Sequence, residues 1–273
     1  MRRRRRAWSE TGRRRSRPCA LRPPAGPWGG EGALARLHLG TCGWSVRRET
    51  YFRRFDAVEV QQTFYEPPSP ATLQRWKQVA PPGFGFSIKA WQLITHPASS
   101  PTYRRLRTPL DETQRQRCGY FRPSDVVEAA YRRTMEAAST LGAEVVLFQT
   151  PASFAPDETR VAWLRQFFQA HRPAGCRFVW EPRGPWPESL VRELCQELGL
   201  VHGVDPFVTR PVTEGFVYLR LHGIGGYRHR YSDQELDRLA AMIRERLENQ
   251  EEVWCLFNNV TMAEDAIRLQ SRL

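Results

Sequence analysis

The sequence predicts a single (β/α)8 barrel of the TIM type, with parallel strands, preceded by a disordered N-terminal tail. From residue 34 onward, eight short apolar runs rich in Val, Phe and Leu alternate with longer amphipathic stretches. The alternation continues for about 240 residues, which suits a barrel of this type. An open doubly wound sheet is the alternative architecture. We therefore predict a basic tail over residues 1–33 and one barrel domain over residues 34–273.

The predicted elements follow from apolar periodicity and from residues typical of helix starts. Pro70 follows Ser69 at one helix start, and Ser232 with Glu235 predicts a capping box at another. The predicted strands cover 37–44, 57–65, 84–90, 144–150, 177–183, 200–206, 216–223 and 253–259. One predicted helix begins at Ser69, and the others cover about 124–142, 157–171, 187–199 and 232–247.

Two stretches depart from regular alternation. A long insert at about 91–123 follows the third strand, and residues 207–215 are too few for a full helix after the sixth strand. Long connections without regular structure of their own are often functional in compact domains.

The basic charge of the chain is concentrated in the tail. The formal net charge is +12, and residues 1–33 hold ten Arg against Glu10 and Glu31. The tail has no apolar periodicity, so we expect it to be disordered, with an arm for nucleic acid or a membrane surface as the alternative. The rest of the chain is nearly balanced in charge. A nucleic-acid partner is therefore an alternative that we do not favour.

The composition indicates a cytoplasmic protein without a membrane partner. No stretch approaches the ~20 consecutive apolar residues that span a membrane. Arg2 to Arg6 are not followed by the apolar region of a signal peptide. The six cysteines form no CxxC pair, so we expect free thiols in a reducing compartment.

Polar residues occupy the inward-facing positions of the predicted strands, near their C-terminal ends. Side chains alternate along a strand, so Arg220 and His222 point inward while Leu219 and Leu221 point outward. The implied lumen is strongly polar and balanced in charge, and an unpaired ion there is costly. We favour a ligand site at the barrel mouth over a closed ion-pair network. The other inward candidates are Glu59, Tyr65, Lys89, Gln149, Glu181, Arg183, Asp205 and Asn258.

Seven motifs occur in an order that resembles the YecE-like family, a domain of unknown function whose members resemble (β/α)8 barrels. The match covers about residues 40–269, and the resemblance implies the fold but no activity. Two positions depart from the family pattern: Cys42 stands where many members have Ser, and Gly184 where a His is common. The motifs are GTCGW (40–44), EVQQTFY (59–65), FSIKAWQLITH (86–96), FQTPASF (148–154), WEPRGPW (180–186), YLRLHG (218–223) and FNN (257–259).

Four residues are the candidate catalytic groups: Glu59, Glu181, Lys89 and His222. The two carboxylates could serve as the acid/base pair of a hydrolase or lyase. Lys89 could form a Schiff base, although an ion pair with Glu59 is the simpler interpretation. The carboxylates could also join His222 and Asp205 in a metal site, but the neighbouring arginines would oppose a cation, so we assign no metal ligand.

The candidate ligand-binding residues include a glycine-rich loop after the seventh strand. Such loops in barrels often bind phosphate through backbone N–H groups. Cys42 could be a nucleophile, but a lone Cys among small residues usually serves packing. The ligand-binding candidates are Trp44, Tyr65, His96, Gln149, Arg183, Asp205, Arg220, Gly223, Gly225, Gly226 and Asn258.

The sequence thus predicts a protein that binds or acts on a small polar, anionic or phosphorylated ligand at the C-terminal mouth of a barrel. Two alternatives stay open: a nucleic-acid-processing barrel resembling apurinic endonucleases, and a non-catalytic ligand-binding module. The sequence identifies neither a cofactor nor a substrate.

Overall fold

Eight parallel strands close into a barrel in the computed structural model, which describes residues 35–172 and 175–273. Each strand pairs with the next along the chain, and β8 pairs with β1 to complete the ring. The predicted (β/α)8 barrel is therefore confirmed, and the open doubly wound sheet is excluded. The strands are β1 (Arg36–Cys42), β2 (Ala57–Val60), β3 (Gly85–Lys89), β4 (Val145–Gln149), β5 (Arg177–Glu181), β6 (Val201–Val204), β7 (Phe216–Leu221) and β8 (Glu252–Phe257).

Helices occupy most of the connections, and their starts carry the predicted caps. The Ser69 hydroxyl accepts the backbone N–H of Thr72, and Ser232 with Glu235 forms the predicted capping box. The helices are α1 (Arg48–Tyr51), α2 (Gln62–Tyr65), α3 (Pro70–Val79), α4 (Gln92–Thr95), α5 (Glu112–Arg117), α6 (Asp125–Leu141), α7 (Glu158–Ala170), α8 (Glu188–Leu198), α9 (Asp233–Glu248) and α10 (Met262–Gln270).

The two irregular connections appear where the sequence predicts them. The segment between β3 and α6 contains α4, a 3₁₀ turn at Pro101–Arg105 and α5. The connection from β6 to β7 contains no helix in the structure. The predicted tail over residues 1–33 lies outside the described residues. None of the described helices is both long enough and apolar enough to cross a membrane.

Strand β2 is shorter than predicted, and this changes the direction of its last side chains. The strand ends at Val60, and the next residues form α2 instead of continuing the extended chain. The Thr63 hydroxyl donates to the carbonyl oxygens of Val60 and Lys89, which fixes this turn. The alternation of side chains holds only in an extended strand. The prediction that Tyr65 points into the lumen is therefore wrong.

The lumen is layered, with charged groups at its two ends and a mainly apolar middle. The middle layers are mainly apolar, so the predicted polar character of the lumen is found toward the strand ends. Their residues are Cys42, Ala57, Val145, Leu147, Val179, Phe216, Tyr218, Trp254 and Leu256. A second and larger apolar cluster packs the outward faces of the strands against the helices. These two clusters stabilise the barrel and leave its C-terminal end for charged groups.

Candidate functional site

The charged candidates lie where parallel strands end, at one end of the barrel. Lys89, Gln149 and Glu181 are the last residues of β3, β4 and β5. Asp205 and His222 come directly after β6 and β7. Because the C-terminal ends of parallel strands meet at one end of a barrel, residues far apart in sequence come together there.

Arg220 lies at the centre of the site and pairs with two carboxylates from other strands. Its Nε donates to Glu59 Oε2 at 2.9 Å and its Nη2 to Glu59 Oε1 at 2.8 Å. Its Nη1 donates to Glu181 Oε2 at 2.7 Å. Burial alone would lower the pKa of Arg220, but the two carboxylates raise it well above its ordinary value. Arg220 is therefore a permanent buried cation that holds both glutamates in place.

The second oxygen of Glu181 collects three donors. Gln149 Nε2 lies at 2.9 Å from Oε1, His222 Nε2 at 3.0 Å and Arg183 Nη1 at 3.2 Å. Burial alone would raise the pKa of Glu181, but the Arg220 guanidinium and the His222 hydrogen bond hold it well below its usual range. Glu181 is therefore ionised at neutral pH and does not act as a general acid.

The His222 ring is fixed from both sides. Asn258 Nδ2 lies 3.1 Å from His222 Nδ1, so with Asn258 as donor the imidazole proton is on Nε2 and faces Glu181. The backbone N–H of His222 donates to Asp205 Oδ2 at 2.8 Å, and the N–H of Phe207 donates to Asp205 Oδ1 at 3.0 Å. Asp205 therefore positions two backbone segments at the mouth.

A cavity of about 600 Å³ opens onto the outer side of this network. Side-chain exposure increases outward, from Glu59 at 0% and Arg220 at 1% to Glu181 at 3%, His222 at 17% and Arg183 at 43%. The network therefore has a sealed inner part and an open outer part. The cavity is lined by five predicted candidates that carry polar side chains: Glu181, Arg183, Asp205, His222 and Asn258.

Glu59 belongs to the sealed part, which contradicts its predicted role as an acid or base. Besides Arg220, the Tyr218 hydroxyl donates to Oε2 at 2.7 Å, and Gln61 Nε2 donates to Oε1. The carboxylate is fully buried and has no contact with the cavity. Its role in the described structure is to position Arg220.

Lys89 does not form the predicted ion pair with Glu59. Its Nζ donates to Gln149 Oε1 at 2.5 Å and lies 3.9 Å from the centre of the Phe64 ring. Among the described residues, no carboxylate oxygen lies within 4.0 Å of this ammonium. Burial, with the charge of Arg220, lowers the pKa of Lys89 to about 8.

The glycine-rich loop does not offer the predicted set of free N–H groups. Gly223 and Gly226 line the cavity, but Gly225 does not. The N–H of Gly223 donates to the Tyr231 hydroxyl at 2.9 Å, and the N–H of Gly226 donates to the Gly223 carbonyl at 3.0 Å. Because both groups are used within the loop, they are not free to bind a phosphate.

Three predicted ligand-binding side chains take other positions. The Trp44 ring packs edge-on against aromatic residues of the chain that follows β1 and of α3. The Tyr65 ring lies 3.6 Å below the Arg105 guanidinium of the insert. His96 is buried against Thr95, and burial lowers its pKa to about 3. His96 is therefore a neutral side chain near Lys89 rather than a ligand-binding cation.

The two departures from the family motifs have structural explanations. Burial raises the pKa of the Cys42 thiol well above its ordinary value, so it is a neutral packing residue and not a nucleophile. At Gly184, a Cβ atom would lie 2.4 Å from the Phe154 carbonyl oxygen. This backbone therefore leaves no space for a side chain at position 184. The five described cysteines are free, as predicted.

Several cavity residues were missed by the sequence analysis. Trp186, His202 and Tyr227 line the cavity. Burial lowers the pKa of His202 to about 4, so this wall is neutral. The Phe64 ring lies against the Lys89 ammonium. Only Trp186 had a signal, because it ends the WEPRGPW motif.

One cluster with metal-ligand chemistry lies away from the mouth. Among the described residues, the group of three or more His, Cys, Asp and Glu side chains whose ligand atoms all lie within 4.8 Å of one another consists of His38, Glu144 and Glu252. These residues lie at the starts of their strands or just before them, at the opposite end of the barrel. Arg177 Nη2 lies 3.0 Å from Glu252 Oε2 and already supplies a cation.

The fold and the charged mouth define a TIM-barrel protein with a polar cavity at the C-terminal ends of its strands. The chain belongs to the family described as protein of unknown function DUF72, whose model matches residues 38–273. It is 23% identical over 266 residues to the UPF0759 protein YunF of Bacillus subtilis, covering 82% of this chain and 88% of YunF.

Two solved structures of DUF72 family proteins resemble this barrel. The Enterococcus faecalis protein has a TM-score of 0.68 at 19% identity, covering 88% of this chain and 98% of its own. The Thermotoga maritima protein has a TM-score of 0.62 at 18% identity, covering 86% and 98%. The family model and the fold agree with the resemblance seen in the motifs.

Proposed function

We propose that this protein binds and acts on a small anionic ligand, bearing a carboxylate or phosphate, in the cavity at the barrel mouth. The observation that carries the proposal is the Arg183 side chain, which is 43% exposed and, among the described residues, has Glu181 as its single carboxylate partner. Its remaining N–H groups are available to an anion from the cavity. The planar guanidinium of arginine can donate two parallel hydrogen bonds, which match the geometry of a carboxylate or a phosphate.

The cavity has the size and chemistry of a small-molecule site. A volume of about 600 Å³ lies within the range of roughly 300–1,000 Å³ typical of such sites. Trp186 and Tyr227 supply aromatic walls, and the polar groups converge on one side. This combination favours a small ligand over a nucleic acid, which would need a basic surface beyond the mouth.

His222 is the proton-transfer group in this proposal. Its ring borders the cavity, and the Glu181 carboxylate accepts its Nε2–H while Asn258 orients the opposite nitrogen. Proton uptake falls to Nδ1, which must first lose its hydrogen bond from the Asn258 amide, and the Glu181 carboxylate then stabilises the imidazolium. Hydrolases and lyases are among the enzyme classes that use such a base, and we propose one of these two.

Binding of a panel of small anions by calorimetry tests the proposal. The panel contains inorganic phosphate, sugar phosphates and small carboxylates. We expect Arg183→Ala to weaken binding by about tenfold or more, in the range of a lost charge-assisted hydrogen bond. The control is Arg133→Ala, which removes a partly exposed arginine with one carboxylate partner, Glu136, on the outer helix α6.

Three results would overturn the proposal. No anion binds to the wild type, or both arginine variants bind equally well, or abasic duplex DNA binds more tightly than every small anion at physiological salt. The last result would favour the nucleic-acid-processing alternative. We further propose that the protein is a YecE-like member of its family and that it works in the cytoplasm, which suits its free thiols.

A further inference from the structure

The chain uses arginine almost exclusively as its basic residue. Of its 41 basic residues, only Lys77 and Lys89 are lysines. Lys77 is exposed on α3, whereas Lys89 is buried at the end of β3, at the barrel mouth. Arginine is the better choice where only a charge is needed, because its guanidinium is always protonated. A buried lysine in this background therefore points to a need for an amino group.

The surroundings of Lys89 do not neutralise its charge by contact. Its Nζ lies between the face of Phe64 and the side-chain oxygen of Gln149. Structural buried lysines are usually paired with a carboxylate, because an unpaired buried ion is expensive. The two nearest buried carboxylates, Glu59 and Glu181, are instead hydrogen-bonded to Arg220.

The electrostatic surroundings increase the fraction of neutral amine at Lys89. Burial and the Arg220 guanidinium lower the pKa of Lys89 to about 8, while Glu59 and Glu181 act in the opposite direction. His96, the nearby imidazole, is neutral because burial lowers its pKa to about 3. A desolvated lysine next to another cation is the arrangement that activates an amine as a nucleophile.

Gln149 connects Lys89 to the ligand cavity. Its Oε1 accepts from Lys89 Nζ at 2.5 Å, and its Nε2 donates to Glu181 Oε1 at 2.9 Å. Glu181 lines the cavity, whereas Lys89 and Gln149 do not, so the partly exposed Gln149 lies between the amine and the cavity wall. A substrate carbonyl that takes the place of the Gln149 oxygen would lie next to the amine.

We propose that Lys89 is a nucleophile that forms an imine with an aldehyde or ketone group of the anionic ligand. The inference rests on the proposed function and adds the substrate class, a small carbonyl compound with a carboxylate or phosphate. The Nζ lone pair attacks the carbonyl carbon, and the oxygen takes up a proton to give a carbinolamine. Loss of water then forms the C=N bond, so the balance is amine plus carbonyl to imine plus water, with no oxidant or reductant.

Reductive trapping in the full chain tests this step. The protein is incubated with glyoxylate, an anionic aldehyde, and with sodium cyanoborohydride, which converts an imine into a stable secondary amine. Peptide mass spectrometry then measures the adduct at each of the two lysines. We expect the adduct on Lys89 to form about tenfold faster or more than on Lys77, the exposed control in the same molecule.

Variants separate the chemistry from the binding. Lys89→Arg keeps the positive charge and is expected to lose the adduct, while Lys77→Arg keeps it. Lys89→Met removes a buried ammonium, so it is expected to fold with a thermal midpoint no lower than the wild type. Glyoxylate binding measured by calorimetry in the wild type and in Lys89→Met reports on the mouth independently of the imine.

The outcomes are distinct. An adduct confined to Lys89 supports the proposal. Equal labelling of the two lysines overturns it, as does the absence of a Lys89 adduct in both the wild type and a Gln149→Ala variant that opens the path to the amine. If glyoxylate binds without an adduct, only the imine step fails. If neither glyoxylate nor any other small anion binds, the proposed function fails as well.

Discussion

Replacement of Arg220 by methionine probes the central ion pair of the site. Methionine fills a similar volume but leaves the fully buried Glu59 without a cation and leaves Glu181 with Gln149, Arg183 and His222. Removal of one partner of a buried ion pair costs about 3–5 kcal/mol, because the remaining charge is not solvated. We therefore expect the free energy of unfolding to fall by about 4 kcal/mol at pH 7. For a domain of this size that is roughly a 10 °C lower thermal midpoint.

The loss of stability in Arg220→Met depends on pH, and protonation of the Glu181 carboxyl sets the direction of this dependence. In the wild type its pKa is well below the ordinary value, so its contribution to stability is present above the ordinary pKa and lost on acidification. Without the guanidinium of Arg220, burial raises this pKa. The carboxyl of the variant then takes up a proton as the pH falls. The stability difference between the two proteins should therefore shrink from pH 7 toward pH 5.

Urea denaturation followed by circular dichroism at pH 7 and pH 5 measures this difference. The matched control is Arg165→Met, which removes an arginine that also has two carboxylate partners, Glu193 and Glu197, but on the surface. Exposed pairs contribute about 0–1 kcal/mol, so the control should lose little stability. A loss below about 1 kcal/mol for Arg220→Met at pH 7 would refute the reasoning. So would a difference that widens on acidification.

Three further predictions concern other parts of the chain. A Cβ on Gly40 would lie 1.9 Å from the Ala57 carbonyl oxygen, so Gly40→Ala should cost about 3 kcal/mol or more, seen as a lower thermal midpoint. Asp265 is buried and accepts hydrogen bonds from Asn259 at 2.7 Å and from Arg268 at 2.9 Å. Asp265→Ala should therefore lower the free energy of unfolding, measured by urea denaturation, by about 3 kcal/mol. Deletion of residues 1–33 should shift the thermal midpoint by less than about 5 °C, and should weaken salt-dependent binding of duplex DNA in a fluorescence titration. A larger shift, or unchanged binding at low salt, would contradict this view of the tail.

Much of the barrel could be predicted from local patterns. The side chains of the strand that ends at Glu181 point alternately outward and inward. This alternation is a local property of an extended strand, so it could be predicted without knowing the neighbouring strands. The helix starts at Ser69 and Ser232 follow from side-chain caps within three residues. The end of β2 at Val60 could not be predicted, because it depends on the Thr63 hydrogen bond to the Lys89 carbonyl of the next strand.

The candidate site could be predicted as a set of residues but not as a set of contacts. The alternation of side chains along each strand placed Glu181, Arg220 and His222 at the mouth, and the structure joins them by hydrogen bonds. The same argument placed Lys89 beside Glu59, but the two belong to different contacts. Alternation along a strand gives the direction of a side chain. Its partner depends on the length of that side chain, its height in the barrel and the other charges nearby.

The sequence by itself determined that this chain forms a (β/α)8 barrel with a charged C-terminal mouth, because hydrophobic periodicity and capping act over a few residues. Only the tertiary structure decided which of these charged side chains form ion pairs with one another. Arg220 crosses the lumen to bind Glu59, 161 positions away in the chain, and so leaves Lys89 without a carboxylate partner in the described part of the chain. The physical reason is that one guanidinium competes with one ammonium for the same buried carboxylates, and the bidentate contact wins.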